Sequence, residues 1–274
     1  MQIATPSRSM ELDQATFDAL VRLFRDESGI VLGPAKRQLV TGRIQRLAQA
    51  RGYDDLNRYA REIVLQGTDR AEVVRVIDRL TTNETYFFRE SAHFDHLASL
   101  VGSLEPRSEF RVWSAASSSG EEAYSIAMLL ADKVGMRQWR IVGTDLSTAM
   151  VAAARKALYP MERARDTPAS YLRRFCLKGH GEYDGYLLIR RELRERVHFE
   201  TANLMRPLPD IGPFDVIFLR NVLIYFQPAE KREIVSRVAQ LLKPGGQLFV
   251  GHAESLGVLP EGLRPVRTAV YARS

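Results

Sequence analysis

The chain has 274 residues, 45% of them hydrophobic and 26% charged, with a net charge of +6 and an isoelectric point near 9.5; these values fit a soluble globular protein of one large domain or two modest ones. The single cysteine, Cys176, excludes an internal disulfide framework and suits a reducing compartment. No apolar run reaches the roughly 20 residues of a membrane span, and the start, MQIATPSRSMELD, lacks the apolar core of a secretory signal, so a cytoplasmic protein without membrane insertion is expected.

Residues 1–12 carry no periodic pattern and are expected to be disordered. From Asp13 a helical pattern runs through Phe17, Leu20, Val21 and Phe24 and stops near Ser28-Gly29. A second begins after Pro34, turns Leu39, Val40, Ile44 and Leu47 inward, and ends at Gly52. Third and fourth helices fit Leu56 to Leu65 and Ala71 to Leu80. Four short amphipathic helices without strand signals predict a small all-α unit over residues 1–80. On the second helix Lys36, Arg43, Arg46 and Gln49 lie away from the apolar stripe, and no acid falls between Lys36 and Arg51. That face is either the solvated side or a docking surface for an acidic partner. The positive net charge agrees with such a partner, nucleic acid or protein, and equally with a basic surface serving solubility.

Residues 81–106 read as a linker, unusual in carrying Tyr86, Phe87 and Phe88 within TTNETYFFRE. Three consecutive aromatics predict that it packs against a domain or lines a pocket. From residue 107 the pattern becomes α/β. Phe110, Val112 and Trp113 form a first strand, Ser114 to Gly120 a loop of small residues, and Glu121 starts a helix through Ala123, Ile126, Ala127, Leu130 and Val134. Arg140 to Thr144 is a second strand ending at Asp145, and Ser147 caps a helix from Thr148 to Leu158. Val197 to Thr201 and the apolar run Phe214 to Leu219 are further strands. Pro228 opens a helix burying Ile234, Val235, Val238, Leu241 and Leu242, which the turn Lys243 to Gly246 stops before the strand QLFVG. Val266 to Ala272 supplies a last antiparallel strand. This alternation predicts a doubly wound sheet, interrupted at about residues 160–196 by a small hairpin-containing insertion with the turn KGHGEYDG.

A loop after the first strand, with an acid ending the second 25 residues beyond Gly120, is the layout of nucleoside binding. Asp145 can take a ribose there, or merely lead the next helix. The loop SAASSSGEE is not a dinucleotide fingerprint, and two carboxylates at a helix start would repel a pyrophosphate. They favour a cationic nucleoside, and S-adenosylmethionine carries a sulfonium and an ammonium. Five histidines show no convincing catalytic spacing.

Four runs in order, LTTNETYFFRE, VWSAASSSGEEAYSIA, FDVIFLRNVLIYF and LLKPGGQLFVGHAES, closely resemble the CheR family over nearly the whole chain. These are methyltransferases that esterify glutamate side chains of bacterial chemoreceptors with S-adenosylmethionine, leaving S-adenosylhomocysteine. The resemblance implies a Rossmann-like class I methyltransferase domain over 107–274 with an inserted β-subdomain, behind the all-α unit. It implies cofactor contacts from Asn83, Thr85, Arg89, Glu122 (to the ammonium), Asp145 (to the ribose), Asn203, Leu204 (beside the adenine), Arg220 and Asn221. Arg89 would hold the incoming carboxylate, with Tyr225 as the second catalytic contact, and no metal is expected. Lys178, Gly179, Gly181 and Gly185 match the glycine-rich loop by which some members bind a C-terminal receptor pentapeptide, where an ordinary hairpin turn is the alternative. Lys36, Arg43 and Arg46 resemble the basic helix that meets acidic methylation helices. A monomer is expected.

Ala123 replaces the family's usual proline, and the loop reads SAASSSG for SAAASTG. Two other readings stay open: a receptor-binding module that keeps cofactor without turnover, and a nucleic-acid methyltransferase. Intact Arg89, Glu122, Asp145 and Tyr225 argue against the first, and RNVLIY, standing where amino-methylating enzymes place D/N-P-P-Y/F, disfavours the second.

Overall fold

In the computed structural model, residues 11–102, 109–136 and 138–274 are described. The disorder expected over residues 1–12 falls, for 1–10, outside them. Leu12 is buried, however, and the Glu11 carbonyl accepts from Asn57 Nδ2 at 2.9 Å, so order begins earlier than expected.

The first compact unit runs to Thr82. It holds α1 (Gln14–Ser28), α2 (Arg37–Ala50), α3 (Leu56–Tyr59) continued by a π-helical turn (Ala60–Leu65), and α4 (Arg70–Leu80). Asp13 and Asp69 cap α1 and α4 by accepting from the N–H groups of Thr16 and Glu72. Phe17, Leu20, Phe24, Val40, Ile44 and Ala48 are fully buried. Leu39, expected inward, is 38% exposed. The buried stripe of α2 steps by four through Val40, Ile44 and Ala48, which leaves Leu39 on the flank.

The second unit starts at Asn83. The segment read as a linker belongs to it and contains a helix, α5 (Ser91–Gly102). Then come β1 (Phe110–Ala115), α6 (Glu121–Lys133), β2 (Trp139–Asp145), α7 (Thr148–Lys156), β3 (Leu158–Pro160), α8 (Ala169–Phe175), β4 (Cys176–Lys178), β5 (Tyr186–Ile189) and α9 (Arg191–Arg194). The chain closes with β6 (Val197–Thr201), β7 (Phe214–Leu219), α10 (Pro228–Gln240), β8 (Leu242–Val250), β9 (Leu263–Arg267) and β10 (Val270–Arg273).

Seven strands form one sheet in the order β6-β2-β1-β7-β8-β10-β9, parallel from β6 to β8 and antiparallel at β10 and β9. From β1 the chain winds outward through β2 and β6, then returns to place β7 on the other side of β1. The order therefore reverses between β1 and β7, and the crevice beyond their carboxyl ends is where such sheets bind ligands. Phe218 and Phe249 stack at 4.6 Å in the core, and Trp113 stacks on Phe214 at 5.7 Å.

Four features differ from the sequence reading. Helix α7 stops at Lys156, because Ala157 is left-handed (φ 54°) and Leu158 already pairs in β3. The insertion is thus a three-stranded sheet, β3-β5-β4, rather than a hairpin alone. The run Lys243 to Gly246 lies within β8, whose pairing with β7 shifts register between Phe214 and Val216. The final segment is a hairpin, β9 and β10, turning at Thr268-Ala269.

Candidate functional site

The loop from Ala116 to Gly120 leaves β1 with Ala116 and Ser118 in left-handed backbone, at φ 60° and 50°. Gly120 ends it at φ 95°, where an added Cβ would lie 2.9 Å from Ala154 Cβ and 3.0 Å from the Phe199 ring. Only glycine fits both the angle and the space. The loop satisfies itself: Ser117 N–H donates to the Thr144 carbonyl at 2.8 Å, Gly120 N–H to Ser117 at 3.0 Å, and Ser118 N–H to Asp145 Oδ2 at 2.7 Å. These three backbone donors are spent within the protein and do not face a ligand.

Asp145 closes β2 and is buried. Its other oxygen accepts from Ser147 N–H at 2.9 Å, and Ser147 in turn caps α7. On the neighbouring side, Ser118 Oγ donates to the Asn83 carbonyl at 3.3 Å, which ties the loop to the start of the aromatic run.

That run is a packed wall. Phe87 is fully buried, edge-on to Tyr159 at 5.0 Å, and Phe88 meets Phe94 at 5.0 Å and Tyr171 at 5.6 Å. Phe88 N–H donates to Ser125 Oγ at 3.0 Å. Phe88 and Glu90 both have positive φ, 58° and 60°, a costly conformation that this packing holds. Thr85 is buried, and its carbonyl accepts from Arg163. The Arg89 guanidinium donates to the Glu84 carbonyl at 2.8 Å and lies 5.8 Å over the Tyr86 ring.

Across the switch point a charge chain spans three segments. Glu122, in the first turn of α6, accepts from Ser114 Oγ at 2.7 Å and from Arg220 Nη1 at 3.0 Å. Arg220, at the end of β7 and 2% exposed, turns its Nη2 to the Arg89 carbonyl and to Glu90 Oε2 at 3.0 Å. Glu90 Oε1 accepts from Asn221 Nδ2 at 3.0 Å. Burial pushes the Glu122 carboxyl up, and Arg220 pulls it part of the way back. Burial also works on Glu90, but the Asn221 amide and the Arg220 guanidinium outweigh it and hold that carboxyl low. Asn221 is left-handed (φ 57°), and its N–H donates to Glu254 Oε2 at 2.8 Å, an oxygen that also receives Gly251 N–H at 2.7 Å.

The structure therefore joins Arg89, Glu122, Arg220 and Asn221 in one network, and Asn83 with Asp145 in a second. Asn203 and Leu204 follow β6 at the same sheet edge, where Asn203 Oδ1 accepts from Met205 N–H at 2.8 Å and Leu204 is buried. Tyr225 ends a 3-10 turn (Leu223–Tyr225) just after β7. Lys36 and Arg46 are exposed in the first unit, whereas Arg43 is half-buried and donates to the Leu80 and Thr81 carbonyls at 2.8 and 3.0 Å, holding the end of α4. Lys178, Gly181 and Gly185 are exposed, and Gly179 is half-buried in the turn between β4 and β5.

Sequence reasoning assigned nothing to Glu90, Glu254 or His93. Glu90 ends the run LTTNETYFFRE and Glu254 is the last residue but one of LLKPGGQLFVGHAES, so the motifs held them without distinguishing them from surface acids. His93 is 2% exposed, and burial, reinforced by Arg220, lowers it to about 3, leaving a neutral ring 4.4 Å from that of His252. Glu90, His93 and His252 bring ligand-type atoms within 4.8 Å of one another. The Glu90 oxygen they face already carries the Arg220 guanidinium and the His252 N–H, so the group reads as a support for Glu90 rather than a cation site.

The donor set fits a cationic nucleoside: a buried carboxylate that ends β2, a half-buried one in the first turn of α6, and a loop three of whose amides are spent within the protein. No helix of the described residues is long and apolar enough to cross a membrane. Residues 15–81 match the family model "CheR methyltransferase, all-alpha domain" and residues 83–272 match "CheR methyltransferase, SAM binding domain". The chain is 38% identical over 271 residues to a chemotaxis protein methyltransferase of Salmonella typhimurium, covering 98% of this chain and 93% of that protein. It is 37% identical to the protein of the same description from Escherichia coli, over 97% of this chain and 93% of that one. A third relative, chemotaxis protein methyltransferase 2 of Pseudomonas aeruginosa, is 37% identical over 92% of this chain and 90% of its own length.

Proposed function

The chain belongs to the CheR family of S-adenosylmethionine-binding methyltransferases, and on that premise we propose that it methylates glutamate side chains of bacterial chemoreceptors in chemotaxis. The observation that carries this reading is the acid at the start of α6, Glu122, braced between Ser114 and Arg220 beside the switch point. An acid there disfavours a pyrophosphate and attracts an ammonium.

Glu122 holds the ammonium of the donor and Asp145 the ribose hydroxyls. Asn203 and Leu204 flank the adenine, while Asn83, Thr85, Arg220 and Asn221 complete the walls. Bound S-adenosylmethionine supplies an electrophilic methyl group. Glutamate, with an ordinary pKa near 4.3, is ionised at neutral pH and needs no general base. The protein's task is placement and exclusion of water, and orientation of this kind contributes up to roughly 7–11 kcal/mol. Arg89 fixes the acceptor carboxylate, bidentately where geometry allows, and Tyr225 supplies the second contact. The buried Phe87 and Phe88 within the Asn83–Arg89 run would help to keep water out, which would favour a reaction between an anionic acceptor and a cationic donor.

Lys36 and Arg46 on the first unit meet the acidic receptor helices, with Arg43 committed in part to α4. A receptor C-terminal pentapeptide adds a strand at the β-subdomain, whose edge strand β4 exposes Leu177 and Lys178. The protein acts as a monomer in the cytoplasm. Incubation with methyl-labelled S-adenosylmethionine and a receptor cytoplasmic domain yields a base-labile label on glutamate; a base-stable label, or label on added nucleic acid instead, overturns the assignment.

A further inference from the structure

Arg220 stands between two carboxylates, and the arrangement poses an electrostatic problem. A guanidinium 3.0 Å from Glu122 neutralises the charge that the donor's ammonium is to meet. The same guanidinium is 3.0 Å from Glu90, by its other terminal nitrogen. The three side chains are 15%, 2% and 17% exposed, so water screens them little. Two carboxylates share one cation, and the cluster retains a negative charge. Of the groups packed around Glu90, the Asn221 amide is neutral and the His93 ring is held neutral by burial; the His252 ring, 3.5 Å from Oε2 and 43% exposed, is the other titratable neighbour and is screened by water.

We propose that Glu90 is a positioning residue for the donor: by sharing Arg220 it leaves the Glu90–Arg220–Glu122 cluster with a net negative charge, and so sets the affinity of the site for the amino group of the cofactor. This rests on the reading that Glu122 meets that ammonium, and it adds a partner on a different segment. The bond from Asn221 Nδ2 to Glu90 Oε1, and that from His252 N–H to Oε2 at 3.3 Å, orient the carboxylate so that Oε2 faces the guanidinium. Glu254 fixes Asn221 in turn. In Glu90→Gln the shape remains and the charge goes; Arg220 then pairs with Glu122 alone.

The test is a cycle between the residue and the ligand's amine. Affinities of S-adenosylhomocysteine, its deamino analogue and 5′-methylthioadenosine are measured by calorimetry for the wild type, Glu90→Gln and Glu90→Asp. In the wild type, deleting the amine weakens binding about a hundredfold, as for a charge-assisted contact. In Glu90→Gln that penalty drops to tenfold or less, in Glu90→Asp it is restored, and 5′-methylthioadenosine, which lacks the amino-acid tail, binds all three alike. An equal amine penalty in wild type and Glu90→Gln overturns the proposal while leaving the Glu122 reading intact. A wild-type penalty near one overturns the ammonium reading itself, and the proposal with it. Loss of 5′-methylthioadenosine binding in both variants makes Glu90 a purely structural residue and overturns the proposal as well.

Discussion

The Ser118 amide donates to the Asp145 carboxylate at 2.7 Å, so the acid that ends β2 also holds the loop that follows β1. With Ser147 N–H on its other oxygen, Asp145 orients both lone-pair sets before any ligand arrives. Asp145→Asn turns one oxygen into an amide donor facing an N–H. The cost of one lost bond to a charged group, about 1.5–3 kcal/mol, corresponds to a ten- to hundredfold loss of S-adenosylhomocysteine affinity. Asp145→Ala, which removes the acceptor of both the Ser118 and the Ser147 amide, loses more. Calorimetry giving wild-type affinity for either variant refutes the ribose assignment.

Arg89 contributes by two separate routes. Its carbonyl accepts from Arg220, and its guanidinium, anchored to the Glu84 carbonyl, is the group proposed to hold the acceptor. Arg89→Ala keeps the first and deletes the second. Turnover is expected to fall by about 10²–10³, the scale of removing one preorganised charge-stabilising group, with the thermal midpoint little changed. Unaltered kcat at saturating receptor sinks the role.

Most of the sheet was legible because parallel strands buried on both faces, such as Phe214 to Leu219, announce themselves as apolar runs. The helix at Ser91–Gly102 was not, because the aromatic run before it drew that stretch into a linker. Glu122 and Asp145 stood out by position at a strand or helix end. Glu90 did not, since its role depends on a left-handed backbone and on Arg220, some 130 residues away in the sequence, and neither leaves a local pattern. Arg43 shows a role that its place on a basic helix face did not suggest: it also serves the carbonyls that α4 leaves open.

Acid should weaken cofactor binding through Glu122. Burial raises its carboxyl above the usual 4.5, with Arg220, Ser114 and Glu90 facing it. An ammonium binds the ionised form only, so affinity for S-adenosylhomocysteine is full above that raised value and declines about tenfold per pH unit below it. In Glu122→Gln affinity is low throughout and this dependence disappears. A wild-type decline centred at or below 4.5 contradicts the assignment.

In the first unit Glu72 has the opposite sign. It is 1% exposed and receives the Tyr59 hydroxyl at 2.6 Å, Arg51 at 2.9 Å and Arg75 at 2.7 Å. Burial pushes its carboxyl up, but those bonds outweigh it and hold the group below its ordinary value. Its stabilisation is therefore present above the unfolded pKa and lost as pH falls through the lower folded one. Glu72→Ala leaves the Tyr59 hydroxyl buried without its acceptor. Both arginines are nearly half exposed, so the expected loss is about 1–3 kcal/mol rather than that of a sealed ion pair. Denaturant unfolding monitored on the full chain measures it, and a midpoint equal to wild type at pH 7 contradicts the argument.

Gly179 sits where the β4–β5 turn folds most tightly: an added Cβ would lie 1.9 Å from the Tyr183 carbonyl oxygen and 3.0 Å from that of Tyr186. Backbone cannot yield as a flexible side chain would, so Gly179→Ala must open the turn and disturb the pairing of Lys178 with Leu187. If a receptor C-terminal peptide adds its strand here, this variant loses peptide binding by calorimetry at least tenfold. The ratio of methylation rates for receptors with and without the peptide then collapses toward one. Retention of the wild-type ratio, with the turn shown to be altered by amide exchange, moves the tether elsewhere on the molecule.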